Sequence, residues 1–164
     1  MSIVNIRRAL AAGVIASALA AGLAGGAGAT PRSLLMRGTF NTPTFSGPSC
    51  PSPVGLCFAG QFRGTLNGPA EAVANSLTPT AQAGVVLGDA RIVIHDLLGD
   101  VACSNQQVVF NLSPTSDGEF ALLCEVTSGT RRYAGATGYL YGTGNVTPST
   151  GQTSGTYAGK IVLP

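Results

Sequence analysis

Charge is scarce in this chain: Asp, Glu, Lys and Arg fill only 10% of its 164 positions. No basic stripe argues for nucleic acid, and no acidic run argues for a cationic partner. There is a single histidine, His95, so a zinc site built on paired histidines is excluded. A Ser–His–Asp arrangement would have to use that one residue. No Gly-x-Ser-x-Gly elbow and no Gly-x-x-x-x-Gly-Lys phosphate loop occurs. Past residue 29, no helix of ordinary length can be drawn. Gly and Pro recur too often, and apolar residues repeat at period two more than at 3.6.

The first 29 residues read as an address. Arg7 and Arg8 form a basic start, Ala9 to Leu23 is apolar and uncharged, and Ala27-Gly28-Ala29 ends a small-residue stretch. That is the layout of a secretory signal peptide cleaved after Ala29. The apolar run is too short and too rich in Ala and Gly for a good membrane span, so no span is expected after cleavage. Removing 29 of 164 residues leaves 135, enough for one core and one domain over residues 30–164. Two of the nine Lys and Arg leave with the leader, and the remaining seven balance seven Asp and Glu. The expected location is secreted, outside the cell.

All four cysteines, Cys50, Cys57, Cys103 and Cys124, lie beyond the leader. An even count in an exported chain reads as two disulfides. Three pairings are open, of which Cys50–Cys57 and Cys103–Cys124 are favoured. The first closes a small Pro-containing loop, and the second ties two strands across a turn near Ser113 to Gly118. The cysteine spacing does not suit zinc ligands, and neither metal nor cofactor is expected.

Strands are expected at Ser33–Phe40, Leu56–Asn67, Val73–Leu77, Ala90–Leu98, Gln107–Leu112, Glu119–Ser128, Gly138–Asn145 and Ser154–Leu163. Pro69 to Ala74 offers a helical turn. Turn signals fall at Asn67-Gly68, Gly99-Asp100, Asp117-Gly118 and Ser128-Gly129. About eight short strands so spaced predict an all-β fold, a small antiparallel eight-stranded barrel, closed so that no edge is left exposed. Glycines inside the strands fit the tight curvature of such a barrel.

Gly129-Thr130-Arg131-Arg132-Tyr133-Ala134-Gly135-Ala136-Thr137-Gly138, the alternating Tyr139 to Gly144, and Ser154-Gly155-Thr156-Tyr157-Ala158-Gly159 together resemble the C-terminal half of the allene oxide cyclase and dirigent barrel superfamily. The likeness covers about 35 residues and is nearer the small exported bacterial members than the plant enzymes. It implies an eight-stranded barrel with a cavity at one mouth, and a homo-oligomer, since the family is often oligomeric. No catalytic set carries over, because the acid and cysteine residues of the plant enzymes have no matching positions here.

Several residues could carry chemistry. Asp96 shares a strand face with Ile92 and Ile94, where burial would raise its pKa and suit acid/base work. At the strand end beside Gly99 it would be solvated instead. Its neighbour His95 points to the opposite face. Glu125, on the face of Ala121 and Leu123, raises the same question as Asp96. Arg131 could clamp a carboxylate or phosphate, or the Arg131-Arg132 pair could simply lock the turn against Tyr133. Arg63 and Arg91 would make the lumen polar if their faces line it, and would be ordinary if those faces meet solvent. Tyr139, Tyr141 and Tyr157 could form an aromatic wall for a planar ligand, or serve packing. The sequence therefore suggests an exported barrel that binds a small lipophilic or aromatic ligand, or a partner, without catalysis. The resemblance adds a cyclase or isomerase as an alternative, and the exposed Thr/Ser/Gly strands add a structural cell-surface protein.

Overall fold

The computed structural model describes residues 30–111 and 117–164; the expected leader lies outside the described residues. Among the described residues, nine antiparallel strands follow one another: β1 Arg32–Asn41, β2 Thr44–Phe45, β3 Cys57–Gly64, β4 Gly68–Pro79, β5 Val85–Asp96, β6 Gly99–Asn111, β7 Gly118–Gly129, β8 Thr137–Thr147 and β9 Gln152–Leu163. The sheet runs β1-β9-β8-β7-β6-β5-β4-β3, and β1 pairs again with β3. That second pairing makes it a closed eight-stranded antiparallel barrel. The two residues of β2 add only a short flap to the start of β3.

Pro69 to Ala74 is strand, not helix. Ala70 and Ala74 are buried and Ala72 half-buried, while Pro69, Glu71 and Asn75 are exposed. Period two therefore governs this stretch despite alanine's helix propensity. β4 also runs on past Leu77, and β5 begins five residues before Ala90. Both disulfides are the favoured pairs. Cys50–Cys57 has its Cα atoms 5.7 Å apart and pins the Pro/Ser loop to the start of β3. Cys103–Cys124, at 5.4 Å, joins β6 to β7.

The glycines are explained by what lies beside them. On one ring around the lumen, Met36, Gly159, Leu140 and Cys124 are cross-strand neighbours. The next ring reads Gly38, Tyr157, Gly142, Leu122, and the next Phe40, Gly155, Gly144, Phe120. Large side chains lie between small ones, as a narrow barrel requires. Tyr157 has a glycine on each side, which leaves room for its ring to reach across the lumen. A Cβ at Gly155 would sit 2.9 Å from the Phe40 ring.

That reach closes one end of the barrel. The Tyr157 hydroxyl accepts the Leu66 N–H at 2.9 Å and donates to the Leu66 carbonyl at 3.0 Å. Leu66, in the β3–β4 loop, is fully buried with Ile94, Val101 and Tyr133. Tyr157→Phe would leave both Leu66 backbone groups unpaired, so it is expected to cost about 2 kcal/mol in a denaturant titration. Burial raises the Tyr157 phenol above its ordinary 10.0. It does the same for Tyr133, with the nearby Asp96 carboxylate adding to the effect. A phenol raised in the folded state stabilises the fold fully below the unfolded pKa and loses that contribution as pH rises through the folded value. Thermal melts should therefore weaken above about pH 10, and less steeply in Tyr157→Phe.

Candidate functional site

The opposite end of the barrel is less completely filled. Here β4 and β5 turn small side chains inward: Ala74 pairs with Ala90 and Ala72 with Ile92, and Gly88 lies one inward step beyond Ala90. Across from them stands an aromatic ladder. Phe62 contacts Tyr157 at 5.1 Å between ring centroids, Phe40 stacks on Phe62 at 5.3 Å, and Phe120 lies 5.8 Å from Phe40. Small residues facing large ones leave a cavity of about 50 Å³, bounded also by Leu56, Phe58, Leu77, Val108 and Leu122. Phe58 and Leu77 are only partly buried and pack against the core.

One polar group is buried in this wall. Thr153, the second residue of β9, is 4% exposed and is the buried polar residue among the described side chains. Its backbone carbonyl accepts the Thr42 N–H at 2.7 Å, but its Oγ1 has no hydrogen-bond partner. Among the described residues, no Lys, Arg or His lines the cavity. The acids that contribute to its wall, Glu71 and Asp89, sit at strand positions whose neighbours Ala70, Ala72 and Ala90 are the inward ones. Asp89 is engaged by the Asn75 side-chain amide at 3.2 Å.

The residues singled out from sequence are scattered. Arg63, Arg91 and Glu125 are exposed, each beside a buried inward residue: Phe62, Ile92 and Cys124. Their faces meet solvent rather than the lumen. Tyr139 and Tyr141 lie half-exposed on the outer wall, while Tyr157 is inside, so the three do not form one aromatic surface. Leu123 pairs with Tyr141 on that outer wall and is likewise half-exposed. Arg131 opens the short 3-10 turn Arg131–Tyr133 with φ of 49°, in the β7–β8 connection at the plugged end. The turn is locked by Thr130 N–H to the Asp100 carbonyl and by Arg132 N–H to the Leu98 carbonyl.

Asp96 does share the inward face of Ile92 and Ile94, but at the plugged end. Its two carboxylate oxygens accept the Asn67 N–H at 2.7 Å and the Leu98 N–H at 2.9 Å, so it staples two turns together. His95, on the outside, faces Asp100 at 3.0 Å with both side chains well exposed. Of the candidate ligand contacts, only Tyr157 touches the aromatic ladder.

Sequence reasoning missed Thr153, Phe40, Phe58, Phe62 and Phe120. The signal for Thr153 lay in the alternation: residues 153, 155, 157, 159 and 161 share a face, and Tyr157 and Ile161 mark that face as the inner one. Among the described residues no cluster of His, Cys, Asp or Glu could hold a metal ion. Among them, too, no helix is long and apolar enough to cross a membrane.

No family model matches the chain, and no curated protein matches it. A solved structure is similar to it, that of the pterocarpan synthase dirigent protein GePTS1. The identity is 12%, the match covers 80% of this chain and 90% of that one, and the TM-score is 0.35. At that level the barrel rests on the strand register itself.

Proposed function

We infer that this protein is an exported binding barrel that takes a small, largely apolar molecule, or the apolar end of a larger one, into its open mouth without transforming it. The observation that carries this reading is the void beside Ala72, Ala74 and Ala90, in a barrel whose opposite end is plugged to full burial. Ligand pockets are concave and mostly apolar with few polar groups, and this wall is mostly aromatic and aliphatic, with Thr42, Glu71, Asp89 and Thr153 as its polar members. The candidate acid and arginine side chains lie on other surfaces, which favours binding over acid/base chemistry. The two disulfides favour an oxidising location.

A benzene titration followed by amide chemical shifts tests the reading. Shifts confined to Ala90, Ile92, Val108 and their neighbours are expected, and Ala90→Leu, which fills the void, should abolish them. A spectrum unchanged up to benzene saturation would sink the proposal.

A further inference from the structure

We propose that the cavity selects a neutral ligand carrying one carbonyl group, an apolar ketone or aldehyde, and that Thr153 is the residue that reads it. The inference rests on the binding role just proposed and asks what chemistry that role would take. A buried hydroxyl with no partner is costly to the fold, yet Thr153 is 4% exposed with its Oγ1 unpaired, beside a cavity lined mostly by apolar side chains. A hydrophobic residue of the same shape, valine, would fill the position without that cost.

The hydroxyl restricts the ligand by simple counting. A threonine O–H can donate one hydrogen bond and accept others. A ligand carbonyl accepts that proton and brings no proton of its own, so no donor in the pair is left unpaired. A ligand alcohol brings a second proton: whichever hydroxyl donates to the other, one O–H is left needing a further acceptor in a wall with few of them. A carboxylate is disfavoured on different grounds. Among the described residues no cation lines the cavity, and Glu71 and Asp89 stand in its wall, so a negative charge would be desolvated without a counter-ion.

Size narrows the class further. About 50 Å³ is well below the roughly 150 Å³ of an engineered cavity that binds benzene. A ligand as large as one ring enters when Phe58 and Leu77 turn outward, and both are only partly buried. The best fit is therefore one ring, or a short branched chain, with the carbonyl directed to β9.

The experiment compares three probes of one shape on the purified protein: acetophenone, α-methylstyrene and 1-phenylethanol, with benzoate as the charged analogue. Dissociation constants are read from chemical-shift titrations of wild type and Thr153→Val. Wild type should bind acetophenone roughly tenfold tighter than α-methylstyrene, the worth of one buried hydrogen bond, with 1-phenylethanol between them. Thr153→Val should keep α-methylstyrene and lose the preference. The unliganded variant should also melt about 3 °C higher, because an orphaned hydroxyl has been removed.

Equal binding of acetophenone and α-methylstyrene by wild type would overturn the carbonyl assignment and leave the binding barrel standing. Tighter binding of benzoate or 1-phenylethanol than of acetophenone would overturn it as well. A lower melting temperature for Thr153→Val would show that the hydroxyl already has a partner inside the fold, which removes the premise. Binding of none of the probes overturns this inference. If the benzene titration is silent too, the proposed function falls with it.

Discussion

Gly38→Ala is expected to destabilise the barrel by about 3 kcal/mol, a large part of the 5–15 kcal/mol typical of a domain. Gly38 lies where the barrel closes: β1 faces β9 through the Gly38–Tyr157 pair and β3 through the Gly38–Gly64 pair. A Cβ there would run into the Arg63 backbone carbonyl and would stand 2.6 Å from Tyr157 Cε1 and 2.7 Å from its hydroxyl oxygen. Neither neighbour can yield cheaply. The carbonyl belongs to the strand that closes the barrel, and the phenol is held by two hydrogen bonds to Leu66. Gly142 flanks Tyr157 from the other side, but a Cβ there meets only the flexible Leu122 side chain, at 3.1–3.3 Å. Gly142→Ala should therefore cost about 1 kcal/mol or less. Urea titration of the two variants decides the matter. Equal stabilities would mean that Gly38 is not the tight point of the seam.

Replacing Cys103 and Cys124 together by alanine should lower the melting temperature by roughly 10 °C. The bridge spans 21 residues of sequence, for which the chain-entropy account gives about 3 kcal/mol. Its position adds a second reason. The β6–β7 ladder shifts register between Ala102 and Cys103 and again between Ser104 and Gln107, so the disulfide holds the strands together where the backbone pairing is broken. Both cysteines are almost fully buried, and the variant also loses core contacts. Scanning calorimetry of the variant against wild type is the measurement. A change under about 2 °C would mean that the rest of the sheet tolerates the interrupted ladder without the bridge.

The barrel was legible because β7, β8 and β9 alternate cleanly and their glycines recur inside strands. The Pro69–Ala74 helix was a misreading with a plain cause. Six residues rich in alanine carry helix propensity but too little length to show a period. The candidate site was largely illegible, since alternation shows which residues share a face without saying which face is inside. In β8 the large residues Tyr139 and Tyr141 are outside, while Gly138, Leu140, Gly142 and Gly144 face the lumen. Ranking by hydrophobic size would have chosen the wrong side, because the inward glycines stand against close neighbours: the Leu122 side chain at Gly142 and the β9 backbone at Gly138 and Gly144. The arginines drew attention as rare charges, and rarity of charge says nothing about direction. Thr153 became informative only through its missing partner, a property of three dimensions that no spacing encodes.

The pairing of β1 with β9 along all ten residues of β1 sets an order of events. The first strand of the barrel to emerge during synthesis waits for the last. Hairpins from β3 to β8 can form as they appear, since each strand pairs with its sequence neighbour, but the ring cannot shut until β9 is available. Until then β1 and β8 carry open edges, of the kind that recruit other chains. Closure is thus a late, long-range step, and the window of vulnerability lasts as long as β9 is missing.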